Sequence, residues 1–305
     1  MKEEKFIFLS ADNKTTIHGT WWEPEQLPKA VLQISHGLTE YGQRYRDFAE
    51  FLTRYGYAVA ANDVIGHGKS VTPGEEPVHI EKWEDTVKDF ETCRRKTGER
   101  FGDLPYYTMG FSLGSFILQS YLTEHAAGIQ GIILAGTGMI PDFQLKAAKA
   151  YVKYIGKKAG MNRKDPRIHE LSFGTYNKHF DGGKKAFSWL YADETCRLAY
   201  EKEQKGSEDM TCGFFYQFLS GMEYVNRHRK KLKLQAPVLL ISGSQDPVGD
   251  FGKGVEKLYS RYRKMGITAD LKLIPGYRHD ILHDRCGRKV WEYIREWMER
   301  KDAWG

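Results

Sequence analysis

Apolar and polar residues alternate along two short segments near the start of the chain, KFIFL (5–9) and TIHGTWW (16–22). Alternation with a period of two is typical of a strand that buries one face. The polar stretch ADNK between the two segments favours a turn. We therefore predict a β-hairpin that forms an antiparallel edge of a larger sheet.

Six later segments are mainly apolar, and we predict that they form buried parallel strands. They are AVLQIS (30–35), YAVAAND (57–63), YYTMG (106–110), IQGIILAG (129–136), PVLLISG (237–243) and ADLKLIPG (269–276). Apolar residues at helical spacing predict helices over 45–55, 80–101, 255–265 and 290–298. This alternation of strands and helices predicts an α/β protein with a mostly parallel, doubly wound sheet.

The stretch 138–234 interrupts the alternation, because it contains no clear buried strand but many aromatic residues. We interpret it as an inserted, mainly helical cap, or lid, between two parts of the core, residues 1–137 and 235–305. Most of its aromatic side chains are expected to pack in the cap's own small core. A minority should face the cleft between cap and core.

The length and composition are compatible with this division. A chain of 305 residues can form one large α/β core with an insertion, or two ordinary domains, and the order of the segments favours the first. Apolar residues make up 41% of the chain, which is enough for a packed core, so we do not expect disorder.

The expected compartment is the cytoplasm. No apolar run approaches the roughly 20 residues of a membrane-spanning helix, and the start, MKEEKFIFLSADNK, does not resemble a signal peptide. The cysteines are scattered singly, without the spacing of a zinc site or a disulfide framework, so free thiols are expected. They are Cys93, Cys196, Cys212 and Cys286.

The net charge of +6 is mild for this length and favours diffuse solubility charge over nucleic-acid binding. No nucleic-acid partner is therefore expected. One basic run is concentrated, RHRKKLK (227–233). We interpret it as a solvated helix end, with a patch for anionic lipid or nucleic acid as the alternative.

The strongest local signal for chemistry is GFSLG (110–114), which directly follows a predicted strand and precedes the helical pattern SFILQSYL. It fits the GxSxG nucleophile elbow, a sharp turn that exposes the serine hydroxyl. The flanking glycines avoid clashes with the neighbouring strand and helix. Ser112 is therefore the candidate nucleophile.

A serine hydroxyl needs a base to accept its proton, and the base needs an acid to fix its tautomer. Asp246 and His279 each follow a predicted strand, so both should lie with Ser112 at the carboxyl edge of the sheet. The chain order Ser, Asp, His is that of α/β-hydrolases. Nearby competitors are expected to be solvated helix-start or loop residues; they are Asp250, Asp280, Asp284 and His283.

Two backbone N–H groups are the expected oxyanion donors. One belongs to Leu113, directly after the nucleophile, and the other to Leu38, in the loop after AVLQIS. His36, in the same loop, is interpreted as a buried residue that braces the loop, with a second catalytic histidine as the alternative.

The segment DVIGHGKS (63–70) resembles the end of a phosphate-binding P-loop. That motif requires a glycine five residues before Gly68, where this chain has Asp63. We therefore predict no nucleotide site here.

With these residues, the chain resembles the monoacylglycerol lipase and lysophospholipase branch of the α/β-hydrolases, of bacterial type, which is grouped with serine aminopeptidase-like proteins. The resemblance covers nearly the whole chain and includes the cap stretch 187–222. The matching stretches are HGLTEYGQRY (36–45), DVIGHGKS (63–70), GFSLG (110–114), SGSQDPVG (242–249) and PGYRHDILHD (275–284). The resemblance implies the α/β-hydrolase fold, with an apolar, mobile lid over the acyl chain.

Carried over to this chain, the resemblance assigns the triad to Ser112, Asp246 and His279, and the oxyanion amides to Leu38 and Leu113. Three departures bear mostly on substrate, and none of them changes the nucleophile, the base or the acid. Ile65 stands where the family usually has arginine, Asp280 where glutamate often follows the histidine, and Ser115 where glycine or alanine is common.

These residues predict a carboxylic-ester hydrolase that cleaves a monoacylglycerol, lysophospholipid or similar acyl ester through an acyl-enzyme. Neither a metal nor an organic cofactor is expected. Expected partners are a small acyl ester and, through the cap, transiently a membrane surface; the sequence does not indicate the oligomeric state. Alternatives are an aminopeptidase, amidase or thioesterase with the same triad, or a non-catalytic binding homologue. A serine at the elbow argues against dehalogenase or epoxide hydrolase chemistry, which commonly employs aspartate there.

Overall fold

Eight strands form one mixed sheet in the computed structural model, which describes residues 1–203 and 209–302. The strands are β1 (Lys2–Leu9), β2 (Thr16–Glu23), β3 (Ala30–Ser35), β4 (Tyr57–Asn62), β5 (Tyr106–Phe111), β6 (Gly131–Ala135), β7 (Val238–Gly243) and β8 (Ala269–Ile274). Their order is β1-β2-β4-β3-β5-β6-β7-β8. β2 pairs antiparallel with β1 and β4, and the other pairs are parallel. The predicted hairpin edge and the mostly parallel sheet are confirmed.

Helices cover both faces of this sheet. They are α1 (Arg46–Thr53), α2 (Trp83–Phe101), α3 (Leu113–Tyr121), α4 (Asp142–Ala159), α5 (Pro166–His169), α6 (Thr175–Lys178), α7 (Glu194–Glu203), α8 (Cys212–His228), α9 (Lys253–Lys264) and α10 (Gly287–Asp302). Val238 and Leu240 of β7 pack into a cluster with α2, α3 and α9, whereas Leu239 and Ile241 pack with α1 and α10. Every residue of β3 to β7 is buried, which explains why these strands are largely apolar. No helix in the described part of the chain is both long and apolar enough to cross a membrane.

β8 differs from the prediction of a buried strand. Only Ala269 is buried, and the other five residues of β8 are partly exposed. The strand lies at the edge of the sheet, and within residues 1–203 and 209–302 its one paired neighbour is β7. Its charged residues, Asp270 and Lys272, are compatible with an edge, where charges also discourage pairing with another chain.

The segment between β6 and β7 is mainly helical, as predicted, although the division into core and cap domains stays an interpretation. It contains α4 to α8, a π-helix at Glu170–Gly174 and short 3₁₀ turns. Its two connections to the sheet lie side by side, because Asn226 of α8 donates hydrogen bonds to the Ile140 carbonyl and to Asp142. We refer to residues 138–234 as the cap below.

The basic run ends a helix, as expected, but it is not solvated throughout. α8 ends at His228 and is followed by a 3₁₀ turn at Arg229–Lys231. The Arg229 side chain is buried, and this burial lowers the pKa of its guanidinium. The expectation of a fully solvated run was therefore wrong for this residue, because the turn packs it inward.

Candidate active site

Ser112 occupies a strained turn between β5 and α3. Its backbone has φ 50° and ψ −116°, a conformation that L-residues rarely adopt and that costs about 1–3 kcal/mol. The two glycines of the motif allow the close packing around it. A Cβ atom at Gly114 would lie 2.0 Å from the carbonyl oxygen of Ser35, and one at Gly110 would lie 2.3 Å from that of Gly114. Glycine is therefore required on both sides of the serine.

The three predicted triad residues form one hydrogen-bonded chain. The Nε2 atom of His279 lies 2.8 Å from the hydroxyl oxygen of Ser112, and Nδ1 lies 2.9 Å from Oδ2 of Asp246. His279 and Asp246 are both buried. The arrangement fits a neutral imidazole that donates from Nδ1 to the carboxylate and accepts from the serine at Nε2. The imidazole can then take the serine proton.

The Asp246 carboxylate is fixed by further donors. Its Oδ2 atom also accepts from the hydroxyl of Ser242, and its Oδ1 atom accepts from the backbone N–H of Val248, both at 2.9 Å. Ser242 belongs to β7, so the acid is fastened to the sheet itself. These two hydrogen bonds orient the Asp246 carboxylate toward the imidazole of His279.

The competing acids are placed differently from what the sequence indicated. Asp250 is exposed, as expected. Asp280 and Asp284 are buried, so the expectation that they are solvated was wrong. Asp284 accepts the backbone N–H groups of Ala192 and Asp193, and Asp280 binds several side chains described below. Their burial follows from contacts with the cap, which local sequence does not reveal.

Ser112 and His279 lie in the wall of an apolar cavity of about 290 Å³ between the sheet edge and the cap. Leu38 and Leu113 line the same cavity. Leu113 is the first residue of α3, so its backbone N–H has no carbonyl partner within the helix. The cap contributes mainly apolar side chains to the lining, among them Leu145, Ala148, Phe173, Trp189, Met210, Phe215, Leu219 and Met222.

His36 and Asp63 brace the loops beneath the cavity. The ring of His36 is buried; its Nδ1 atom bonds the carbonyl of Gly37, and Nε2 accepts the N–H of Val64. Burial lowers the pKa of this imidazole. The Asp63 carboxylate accepts the backbone N–H groups of Gly42 and Lys69. His36 therefore has the bracing geometry that was expected, and Asp63 organises the segment that resembles a P-loop.

Residues 26–286 match the model of a family described as serine aminopeptidase, S33. This span contains Ser112, Asp246 and His279 and most of the chain. The chain belongs to the serine aminopeptidase S33 family.

Relatives of this S33 protein include the human monoglyceride lipase, 27% identical over 294 residues, which cover 93% of this chain and 86% of the relative. The monoacylglycerol lipase of Mycolicibacterium smegmatis is 23% identical, covering 91% of this chain and 90% of the relative. A solved structure of a thermostable carboxyl esterase from Bacillus coagulans, in complex with glycerol, gives a TM-score of 0.88 at 26% identity over 98% of both chains. The predicted α/β-hydrolase family and fold are confirmed.

The S33 protein also has a buried ionic cluster beside the cavity that sequence reasoning missed. The guanidinium of Arg44 contacts Glu40 at 3.0 Å and Asp280 at 3.2 Å, and the hydroxyl of Tyr191 at 2.6 Å. Burial raises the pKa of Asp280, but His283, Arg44 and Tyr191 outweigh this and hold it well below its ordinary value. The carboxylate is therefore charged.

This cluster also bears on metal binding in the S33 protein. Ligand atoms of Glu40, Asp280 and His283 lie within 4.8 Å of one another, which is compatible with a metal site. The guanidinium of Arg44 contacts both Glu40 and Asp280, so it already provides the positive charge that a metal ion would supply there. A second carboxylate oxygen of Glu40 accepts the N–H of Gly37, so the cluster also supports the loop of Leu38.

Proposed function

We propose that this protein is a serine hydrolase that cleaves acyl esters such as monoacylglycerols or lysophospholipids. The observation that carries the proposal is the chain of hydrogen bonds from Ser112 through His279 to Asp246 in the wall of an apolar cavity. Two relatives that match over most of the chain are named as lipases of monoacylglycerols. Their names support the proposed substrate class.

In the proposed reaction His279 takes the proton of Ser112 while the serine oxygen attacks the ester carbonyl. The N–H groups of Leu38 and Leu113 stabilise the oxyanion, a contribution typically worth about 3 kcal/mol per donor. The imidazolium then protonates the alcohol oxygen as the ester bond breaks. The alcohol departs, and the acyl group remains bound to Ser112. His279 next deprotonates a water molecule, whose oxygen attacks the acyl carbonyl. The bond from the acyl carbon to the Ser112 oxygen then breaks, the imidazolium returns the proton to that oxygen, and the fatty acid is released. The proposed reaction requires neither a metal nor an organic cofactor.

The cavity lining favours an acyl chain over a polar substrate. Apolar side chains from α3, α4 and α8 surround the space next to the nucleophile. A chain bound there removes its methylene groups from water, at about 0.8 kcal/mol for each. An amide or thioester with a long acyl chain would fit the same surface, so the leaving group must be tested directly.

The test is a matched set of p-nitrophenyl esters, anilides and thioesters that share acyl chains of increasing length. We expect kcat/KM for the esters to rise with chain length until the cavity is filled. We also expect labelling by a fluorophosphonate probe, because only an activated serine reacts with it. Anilide or thioester rates above the ester rates would support the alternative leaving groups. An unlabelled protein without turnover would support a non-catalytic binding protein.

We also propose that the cap contacts an anionic membrane surface through α4. The outer face of this helix exposes Phe143 (72% exposed) and Tyr154 (53% exposed). The helix carries five lysines and one acidic residue, Asp142. Exposed aromatic rings beside lysines are typical of helices that lie in a membrane interface. Leu145 and Ala148 of the same helix line the cavity, so the helix separates the exterior from the proposed acyl site.

Co-sedimentation with vesicles of phosphatidylcholine, with and without phosphatidylglycerol, tests this contact. We expect binding to the anionic vesicles and weakening by salt, since each lysine near such a surface contributes about 1 kcal/mol. Replacing Phe143 and Tyr154 together by serine should reduce binding. The matched control is Leu27→Ser, which removes an apolar side chain that is fully exposed outside the cap. Equal binding by both variants would refute the proposed contact.

The proposed compartment is the cytoplasm. All four cysteines are free thiols, and three of them, Cys93, Cys212 and Cys286, are buried. Reducing compartments keep thiols in this state.

A further inference from the structure

Two aromatic rings pack against the imidazole of His279. Phe111, the last residue of β5, approaches from the core with 5.0 Å between ring centroids and a tilt of 35°. Trp189 approaches from the cap with 5.1 Å between centroids and a tilt of 31°. One of the two rings therefore belongs to the sheet and the other to the cap.

Trp189 is itself held in place by neighbouring cap residues. Its ring stacks on Phe173 at 5.2 Å with a tilt of 12°, and it contacts Tyr176 at 5.3 Å. Its backbone N–H donates to the side-chain oxygen of Asn177. The indole is 8% exposed, so it is a fixed part of the interior rather than a surface ring.

The backbone around Trp189 is also joined to the loop that carries His279. The Trp189 carbonyl accepts the N–H of His279 at 3.4 Å, and the Leu190 carbonyl accepts the N–H of Asp280 at 2.9 Å. The guanidinium of Arg278 donates to the carbonyls of Ser188 and Tyr191. The cap segment around Trp189 and the histidine loop therefore form one hydrogen-bonded unit.

We propose that Trp189 is a positioning residue, whose indole fixes the tilt of the His279 imidazole between Asp246 and Ser112. Hydrogen bonds at the two ring nitrogens fix the line that joins them, but they leave the ring free to tilt about that line. The rings of Phe111 and Trp189, packed against the imidazole, restrict this tilt. The inference rests on the proposed function and adds to it, because the cap then sets the geometry of the base and does not only cover the substrate.

The alternative role for Trp189 is substrate binding, since its side chain also lines the cavity proposed to hold the acyl chain. The two roles predict different substrate dependence. A lining residue affects long acyl chains more than an acetyl group. A positioning residue affects every ester equally, because a shift of about 1 Å in a reacting group costs about 100-fold whatever the chain length.

The test compares Trp189→Leu, Trp189→Phe and Phe215→Leu with the wild type on p-nitrophenyl acetate and decanoate. Trp189→Leu should lower kcat/KM for both esters by the same factor, roughly 10- to 100-fold. Trp189→Phe keeps a ring over the imidazole and should restore most of the rate. Phe215, a cap residue that lines the cavity, is the matched control, and its replacement should raise KM for the decanoate more than for the acetate.

A second readout does not depend on turnover. The proton shared by His279 and Asp246 should give a low-field ¹H NMR resonance in the wild type. This resonance should weaken or broaden in Trp189→Leu and persist in Trp189→Phe and Phe215→Leu. An unchanged resonance in Trp189→Leu, with loss confined to the decanoate, would overturn the inference and leave the proposed function intact. A wild type that hydrolyses no ester would overturn the proposed function, while the resonances of the variants would still decide the role of Trp189. Thermal unfolding checks that each variant is folded.

Discussion

Replacing Ser112 by alanine should lower kcat for a p-nitrophenyl ester by about 10⁶-fold, the loss found when the nucleophile of a serine triad is removed. The hydroxyl lies 2.8 Å from His279, and no other hydroxyl is hydrogen-bonded to that imidazole within the described residues. Asp246→Asn should cost about 10⁴-fold, because the imidazole would adopt the wrong tautomer. Steady-state hydrolysis, with fluorophosphonate labelling as the second readout, measures both.

The matched control for Ser112→Ala is Ser115→Ala. Ser115 is buried in the same helix turn, but its hydroxyl lies 2.6 Å from the backbone carbonyl of Ser112 and 2.9 Å from the hydroxyl of Thr137. Loss of one such hydrogen bond costs about 1 kcal/mol, so the rate should stay within about tenfold of the wild type. A Ser112→Ala protein as active as Ser115→Ala would mean that a different group attacks the ester.

Replacing Arg44 by methionine should destabilise the protein by about 3–5 kcal/mol, because it leaves buried carboxylates without their cation. The Arg44 side chain is only 9% exposed, and it contacts Glu40, Asp280 and Glu203. Its ring contact with Tyr200 in α7 is lost as well. The midpoint of urea unfolding measures the effect. Arg44→Lys retains the charge but not the planar fork, so its midpoint should lie between those of the wild type and the methionine variant.

Arg46→Met provides the control for this change two residues away. The Arg46 side chain is 48% exposed and contacts Glu3 at 3.2 Å. Exposed ion pairs of this kind contribute at most about 1 kcal/mol. Equal shifts of the urea midpoint for the two methionine variants would show that the Arg44 cluster contributes no more than a surface pair.

The sheet and the proposed triad were predictable because their signals are local. Each central strand is a short, largely apolar run, and Ser112, Asp246 and His279 each follow a predicted strand within a few residues. Parallel strands bring their carboxyl ends to one edge, so residues far apart in the chain meet there. The positions of the three residues relative to one another then follow from the order of the strands in the sheet, without further information from side chains.

The ionic cluster and the position of Trp189 were not predictable in the same way. Glu40 and Arg44 are four residues apart, a spacing that indicates an ion pair, but their partner Asp280 lies 236 residues from Arg44. Trp189 was one of many cap aromatics, and nothing in the sequence separates it from those that pack the cap interior. Both depend on how the cap lies against the sheet. The edge position of β8 was missed for a different reason, because the charged residues Asp270 and Lys272, which are typical of an edge strand, were given too little weight.

The cap begins and ends close to the same place, because Asn226 in its last helix is hydrogen-bonded to Ile140 near its start. This closeness affects how the length of the cap can change during evolution. An insertion whose entry and exit lie within hydrogen-bonding distance costs the surrounding chain little closure entropy, and extra length adds to that cost only logarithmically. Ancestral chains could therefore lengthen or shorten parts of this region while the sheet stayed in register. The segment around Trp189 is the exception, because it is hydrogen-bonded to the loop of His279 and would have to change together with it.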